Sequence, residues 1–164
     1  NVIEIDWWES AEPSPGLKLT YVPAQHWSRR RFWDTNHMLW GGHVVEAQGA
    51  RVYFPGDTGY PAQFGDIAQR CGAPDIALLP IGAYAPRWFM AQQHMNPEEA
   101  VKAHRDLGAR LSVAMHFATF RMTDEAFGAP EAALAAARAQ FGVSEDAFQV
   151  PAFGETIVAP ASGL

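Results

Sequence analysis

Apolar residues come in short blocks or alternate up to about position 60, and take helical spacing after it. Residues 2–8 and 17–22 have strand-like composition and flank the turn-prone stretch 10–16, SAEPSPG, which predicts a hairpin with a longer loop. Residues 25–36 are polar, basic and aromatic without a period, and read as a loop. Residues 38–47 and 51–54 predict a strand pair turning at Gln48-Gly49. Phe64, Ile67, Ala68 and Cys71 then fall on one helical face, with Pro61 near the start and Gly72 just past the end. Residues 75–80, DIALLP, form the continuous apolar run of a strand covered on both faces. Asn96-Pro97-Glu98-Glu99 is a helix start: Asn caps, Pro suits the first position, and Glu99 can reach back. That helix is expected to stop at Gly108. Residues 111–115, LSVAM, predict a second buried strand. Ala129-Pro130 opens an Ala-rich helix to Phe141, stopped by Gly142. Residues 148–150 and 155–158 predict a final strand or pair. Helices alternating with buried strands after an antiparallel start predict a layered α/β fold.

Composition narrows this picture. With 164 residues, 48% hydrophobic and 18% charged, the chain has the size and mix of one globular domain and enough apolar surface to exclude disorder. Twelve basic against eighteen acidic residues give a net charge of −6, which argues against a nucleic-acid partner. The one cysteine, Cys71, excludes an internal disulfide and a Cys-rich zinc site. No apolar run reaches the roughly 20 residues of a membrane span. The chain opens Asn1-Val2-Ile3-Glu4, without Met or a signal-peptide pattern, which raises the expectation of a start inside a longer product.

Three places share one design: a short apolar strand ends, and a residue able to hold a metal follows. Residues 17–22 lead to His26, residues 51–54 to Asp57 in PGDTG, and residues 111–115 to His116. Strand ends position ligand sites, and glycines let the backbone approach them closely. Two imidazoles and a carboxylate meeting there could hold zinc. Taken singly, each histidine also reads as a hydrogen-bonded structural residue, and Asp57 as the start of an Asx turn.

The motifs QHWS (25–28), YFPGDTGY (53–60), PIGAY (80–84), PRWFM (86–90), QHMNPEEA (93–100) and MHFATF (115–120) form a long ordered set. The set resembles the metallo-β-lactamase superfamily, and within it the N-acyl-phosphatidylethanolamine-hydrolysing phospholipase D-like branch, over residues 2–158. The resemblance implies the C-terminal part of an αββα sandwich, a two-zinc site and phosphodiester hydrolysis. By motif position it implies that His26 is a histidine of the first zinc, Asp57 the carboxylate bridging both metals, and His116 the last histidine of the second zinc. It implies that His94 lines the site in a catalytic role, orienting phosphate or moving a proton; alternatively, His94 is a polar residue ahead of a helix cap. The family's upstream His-x-His-x-Asp-His signature has no counterpart among the six histidines here. Phe117-Ala118 also stands where relatives have Trp-Gly, a packing change.

Residues 1–164 are therefore expected to be a single domain, the C-terminal portion of a larger metallohydrolase domain, with an incomplete site that holds no zinc or one and works weakly alone. The substrate class implied is a phosphodiester or lipid-like molecule. The missing segment predicts self-association, or pairing with the absent N-terminal part, through an exposed apolar sheet face. The location expected is cytoplasmic or peripheral to a membrane. The alternative reading is a non-catalytic binding fragment that uses an aromatic, Arg-containing face. All six tryptophans lie by residue 88, and Arg29-Arg30-Arg31 could meet phosphate, although core packing and a solvated face are the simpler readings. His104 is expected to be a partly buried helix residue, His43 to alternate within a strand, and His37 to cap a turn.

Overall fold

The structure is a computed structural model that describes residues 2–159. Asn1, the residue behind the expected internal start, lies outside the described residues.

Pro15 and Gly16 turn the chain between β1 (Ser10–Ser14) and β2 (Leu17–Pro23). Proline pre-sets the first turn position, and Gly16 takes the left-handed one at φ 76°. Ser14 then pairs with Leu17, and Ser10 Oγ lies 2.9 Å from Thr20 Oγ1. This corrects the sequence expectation, which placed the strand at residues 2–8 and a loop at 10–16. Residues 6–9 form a turn of their own: the Glu9 amide donates to the Asp6 carbonyl at 3.0 Å, and the Glu9 carboxylate accepts from the Asp6 amide at 2.8 Å. The Trp7 indole donates to the Trp40 carbonyl at 2.7 Å, so the aromatics that looked like a strand serve loop packing.

β3 (Gly41–Ala47) and β4 (Ala50–Phe54) form the expected hairpin, with Gln48 and Gly49 both at positive φ. The strand starts at Gly41 rather than at residue 38, and Met38 is exposed. Then follow α1 (Phe64–Cys71), β5 (Ile76–Pro80), α2 (Arg87–Met90), α3 (Pro97–Leu107), β6 (Leu111–Met115), α4 (Ala129–Phe141) and β7 (Phe148–Gln149). The short α2 was not foreseen, because four residues make too little of a turn to show a period. Residues 155–158 form no strand. The Ala152 amide bonds the Glu155 carboxylate at 2.8 Å, and the Glu155 amide returns to the Ala152 carbonyl at 3.0 Å, which folds that segment into a turn.

Among the described residues the strands form one seven-stranded sheet in sequence order, antiparallel from β1 to β4 and parallel from β4 to β7. The α/β class is as expected, with helices packed on the sheet. Val22, Val44, Tyr53, Ala77, Leu79 and Phe148 of the sheet share a core with helical residues of α1, α3 and α4. Cross-strand neighbours on the other face, Leu19, Val45 and Val52, stay partly exposed, and Phe54 is 42% exposed.

His104 on α3 is buried, with Nδ1 2.8 Å from Ser112 Oγ on β6. Burial pushes its imidazole below the ordinary value, and neighbouring Arg105 adds to that. The folded pKa is thus lower than the unfolded one. The resulting stability is fully present above about pH 6.5 and is lost as pH falls below it, because the unfolded chain takes up the proton first. Urea midpoints measured from about pH 7 down to pH 5 should fall, and His104→Asn should make that decline shallower. An unchanged slope in the variant would remove His104 from the acid response.

Candidate metal centre

The site begins where β2 runs out. The Gln25 amide donates to Thr58 Oγ1 at 2.9 Å, Thr58 Oγ1 donates to the Gly59 carbonyl at 3.0 Å, and the Gly59 amide donates back to the Gln25 carbonyl at 2.9 Å. These bonds stitch the loop carrying His26 to the loop carrying Asp57. Gly59 is tight there: a Cβ would lie 2.6 Å from Gln25 Nε2 and 2.8 Å from the Ala91 carbonyl oxygen. The Thr58 carbonyl accepts from the Met95 amide at 2.9 Å, which ties in the segment carrying His94.

That segment is held from its other side. Arg87 Nη1 donates to the His94 carbonyl at 2.8 Å, while Arg87 Nη2 meets both Glu99 oxygens at 2.9 and 2.7 Å. Glu99 also completes the expected capping box, accepting from the Asn96 amide at 2.9 Å while Asn96 Oδ1 accepts from the Glu99 amide at 2.8 Å. Glu99 thus both caps α3 and anchors the arginine beneath His94. Thr58 and Arg87 are positioning residues that the sequence reading did not assign. Thr58 was visible only as the neighbour of Asp57 in PGDTG.

His116 follows β6 directly. The Ile81 amide bonds the Met115 carbonyl at 3.0 Å, and a Cβ built on Gly82 would run into the His116 carbonyl oxygen. His116 has φ 58°, a left-handed backbone that costs a non-glycine residue about 1–2 kcal/mol.

The side chains converge. His26, Asp57 and His94 each bring a ligand atom within 4.8 Å of the others. His116 Nε2 lies 3.4 Å from Asp57 Oδ1. The His94 ring stands edge-on to His26 at 5.5 Å and stacks on His116 at 5.3 Å, so it sits between the two. The four residues singled out in the sequence therefore meet around one carboxylate.

The hydrogen bonding of the imidazoles suits a metal. His26 Nδ1 lies 2.8 Å from the Trp27 carbonyl oxygen. A carbonyl can only accept, so Nδ1 is the donor and Nε2 is the nitrogen left for a metal. His94 is 9% exposed and its Nδ1 has no partner. Burial is the main reason its imidazole is pushed below the ordinary value; Asp57 pulls the other way, and His116 and His26 add to the lowering. The buried imidazole of His94 with its orphaned nitrogen, Nε2 of His26 and a carboxylate are a zinc-type donor set, so the residues present fit a divalent metal. Beside them a cavity of about 260 Å³ is lined by Gly82, His116, Phe117, Phe120, Met122 and Phe127 among others, an apolar space next to the polar cluster.

The family model for the beta-lactamase superfamily domain matches residues 1–117. N-acyl-phosphatidylethanolamine-hydrolyzing phospholipase D 1 of Caenorhabditis elegans is 45% identical over 125 residues, covering 74% of this chain and 35% of the relative. The mitochondrial N-acyl-phosphatidylethanolamine-hydrolyzing phospholipase D of Saccharomyces cerevisiae is 36% identical over 162 residues, covering 95% and 34%. A metallo hydrolase from the archaeon Ignicoccus hospitalis superposes with TM-score 0.67 at 28% identity, covering 94% of this chain and 59% of that one. The chain spans about a third of the length of the two curated relatives.

Proposed function

The chain belongs to the beta-lactamase superfamily, and from that premise we propose that it carries part of the metal centre of a zinc-dependent phosphodiesterase of the phospholipase D kind. The observation that carries this reading is the convergence of His26, Asp57 and His94 within 4.8 Å, with His116 3.4 Å from Asp57. The names of the worm and yeast relatives support a lipid-like phosphodiester as the substrate class.

His26 through Nε2, Asp57 and His94 would hold the metal, and Asp57 with His116 would extend the site on its far side. When bound, zinc supplies Lewis acidity to a phosphoryl oxygen and lowers the pKa of a water. The chain's own groups do the rest. Asp57, between the imidazoles, sets the negative charge of the site. His94, whose imidazole burial pushes below its ordinary value, gives a lone pair when it is a ligand; with the metal held on the Asp57–His116 side instead, it is free to orient the phosphate or move a proton. Arg87 fixes the backbone from which His94 projects, at 2.8 Å from its carbonyl oxygen. The neighbouring apolar cavity accommodates a non-polar substituent of the substrate.

The site lacks the histidine-rich signature that supplies further ligands to the complete family site. Elemental analysis after zinc loading should find one zinc per chain, and turnover of bis-p-nitrophenyl phosphate should be slow. Absence of zinc would overturn the metal reading. Two zincs with rapid turnover would overturn the incomplete-site reading.

We read the chain, further, as the C-terminal portion of a larger metallohydrolase, which its coverage of about a third of its curated relatives supports. The partly exposed apolar row of Leu19, Val45 and Val52, with Phe54, supports self-association, or pairing with an N-terminal part of the larger protein. Light scattering should find more than one chain per particle, and a monodisperse monomer would count against this. Among the described residues no helix is long and apolar enough to cross a membrane.

A further inference from the structure

The loop between β6 and α4 folds back on the loop after β5, and one carboxylate joins them. Glu125 accepts from the Tyr84 amide at 3.3 Å and from the Ala85 amide at 3.1 Å, and the Asp124 amide donates to the Ala85 carbonyl at 3.3 Å. Burial by itself would raise the Glu125 pKa. Hydrogen bonds from the Thr123 hydroxyl and from backbone amides outweigh it and hold the carboxyl below the usual range. Glu125 is therefore a half-buried anion at neutral pH.

The cavity of about 260 Å³ lies against these two loops. Glu125 lines it together with Phe117, Phe120, Met122 and Phe127, and His116 joins it to the candidate metal centre. The charge of Glu125 reaches both ways. It opposes the burial that lowers the His94 imidazole, and it adds to the burial that raises the Tyr84 phenol. Glu131, in the first turn of α4, also raises Tyr84, and its Oε2 is buried with no hydrogen-bond partner among the described residues. Arg121 lines the cavity too, but it is exposed, so water and salt screen it more than they screen Glu125. Three phenyl rings and a thioether around a carboxylate are surroundings for an organic cation. Ring faces attract positive charge, and the carboxylate supplies the opposite one. The Glu125 oxygens already accept from two amides, which favours a cation that brings charge and methyl groups over one that needs several hydrogen bonds.

We propose that this cavity is a binding site for an alkylated ammonium group of the choline kind, held by the phenyl rings and by the charge of Glu125. The site stands on the cavity itself and needs no metal. Only its link to a substrate rests on the phosphodiesterase reading. His116 lines the cavity and lies 3.4 Å from Asp57, so a phosphodiester with its phosphate at the metal centre would place its methyl-covered cation here.

The test is isothermal titration calorimetry on the 164-residue chain in EDTA, with three ligands of one shape: choline, the neutral tert-butylethanol and the anion of tert-butylacetic acid. Choline should bind about tenfold more tightly than the alcohol, and the acid more weakly than either. Glu125→Gln should remove most of the preference for choline and leave the affinity for the alcohol near the parent value. Phe127→Leu should weaken choline about fivefold. Phe127 is 65% exposed, so its variant should melt with the parent. A Glu125→Gln variant that melts early is replaced by a salt titration of the parent, in which choline loses affinity and the alcohol does not. The proposal is overturned by no choline binding, by binding of the alcohol or the acid as tight as that of choline, or by a preference that survives Glu125→Gln or ignores salt. Glycerophosphocholine then separates the two sources of the cation. A gain in its affinity over choline on zinc loading assigns the site to a phosphodiester substrate, and equal affinities assign it to a free cation. Failure to load zinc would sink the metal reading and leave the choline result intact.

Discussion

Asp57→Asn is expected to lower zinc affinity by at least about a hundredfold, read by competition with a chromophoric chelator. The substitution keeps the shape of the side chain and removes the anionic ligand. Asp57 is 45% exposed at its side chain, so the zinc-free melting midpoint should hardly move, and a loss of affinity would report ligation rather than unfolding. His116→Ala provides the internal comparison. If the metal sits among His26, Asp57 and His94, losing His116 costs less than losing Asp57. Equal losses would put the metal on the Asp57–His116 side, where the two side chains stand 3.4 Å apart. Unchanged zinc affinity in Asp57→Asn would remove Asp57 from the ligand set.

Phe64→Ala should be the most destabilising single change, at about 3–5 kcal/mol, with a fall in melting temperature on the order of 10 °C. Phe64 is 1% exposed and opens α1, just after the loop that carries Asp57. Its ring stands edge-on to Tyr53 at 6.4 Å and stacks on Tyr60 at 5.8 Å. Tyr53 belongs to β4, the strand that leads to Asp57, and the Tyr60 hydroxyl reaches Asp106 on α3. Truncation leaves a cavity where helix, strand and site loop meet. Calorimetry would measure the loss; a shift below about 2 °C would show that the region repacks around the gap. Well below the transition, zinc affinity should stay near the parent value, because no ligand is removed.

Much of the fold is legible wherever the signal is local. The Asn96 cap with Glu99, Gly108 after α3, Gly142 after α4 and the turn at Gln48-Gly49 each act within a few residues, and the structure has all of them. The buried parallel strands are legible because both of their faces are covered, which writes a continuous apolar run. The first strand was not legible. An edge strand of Ser, Ala, Glu and Pro has no strand composition, and the tryptophans ahead of it mimicked one while packing a turn.

The sequence by itself singled out His26, Asp57, His94 and His116 as the candidates, each just past a strand or just before a helix cap. Only the tertiary structure decided their arrangement, with His94 between the other two imidazoles and Asp57 within reach of His26, His94 and His116. The physical reason is the range of the bonds that bring them together. Thr58 reaches Gln25 across 33 positions, and Arg87 holds His94 from a helix too short to show in the pattern. Hydrogen bonds between loops so far apart in the chain leave no period or punctuation to read, and they exist only once the sheet has brought its strand ends to one edge.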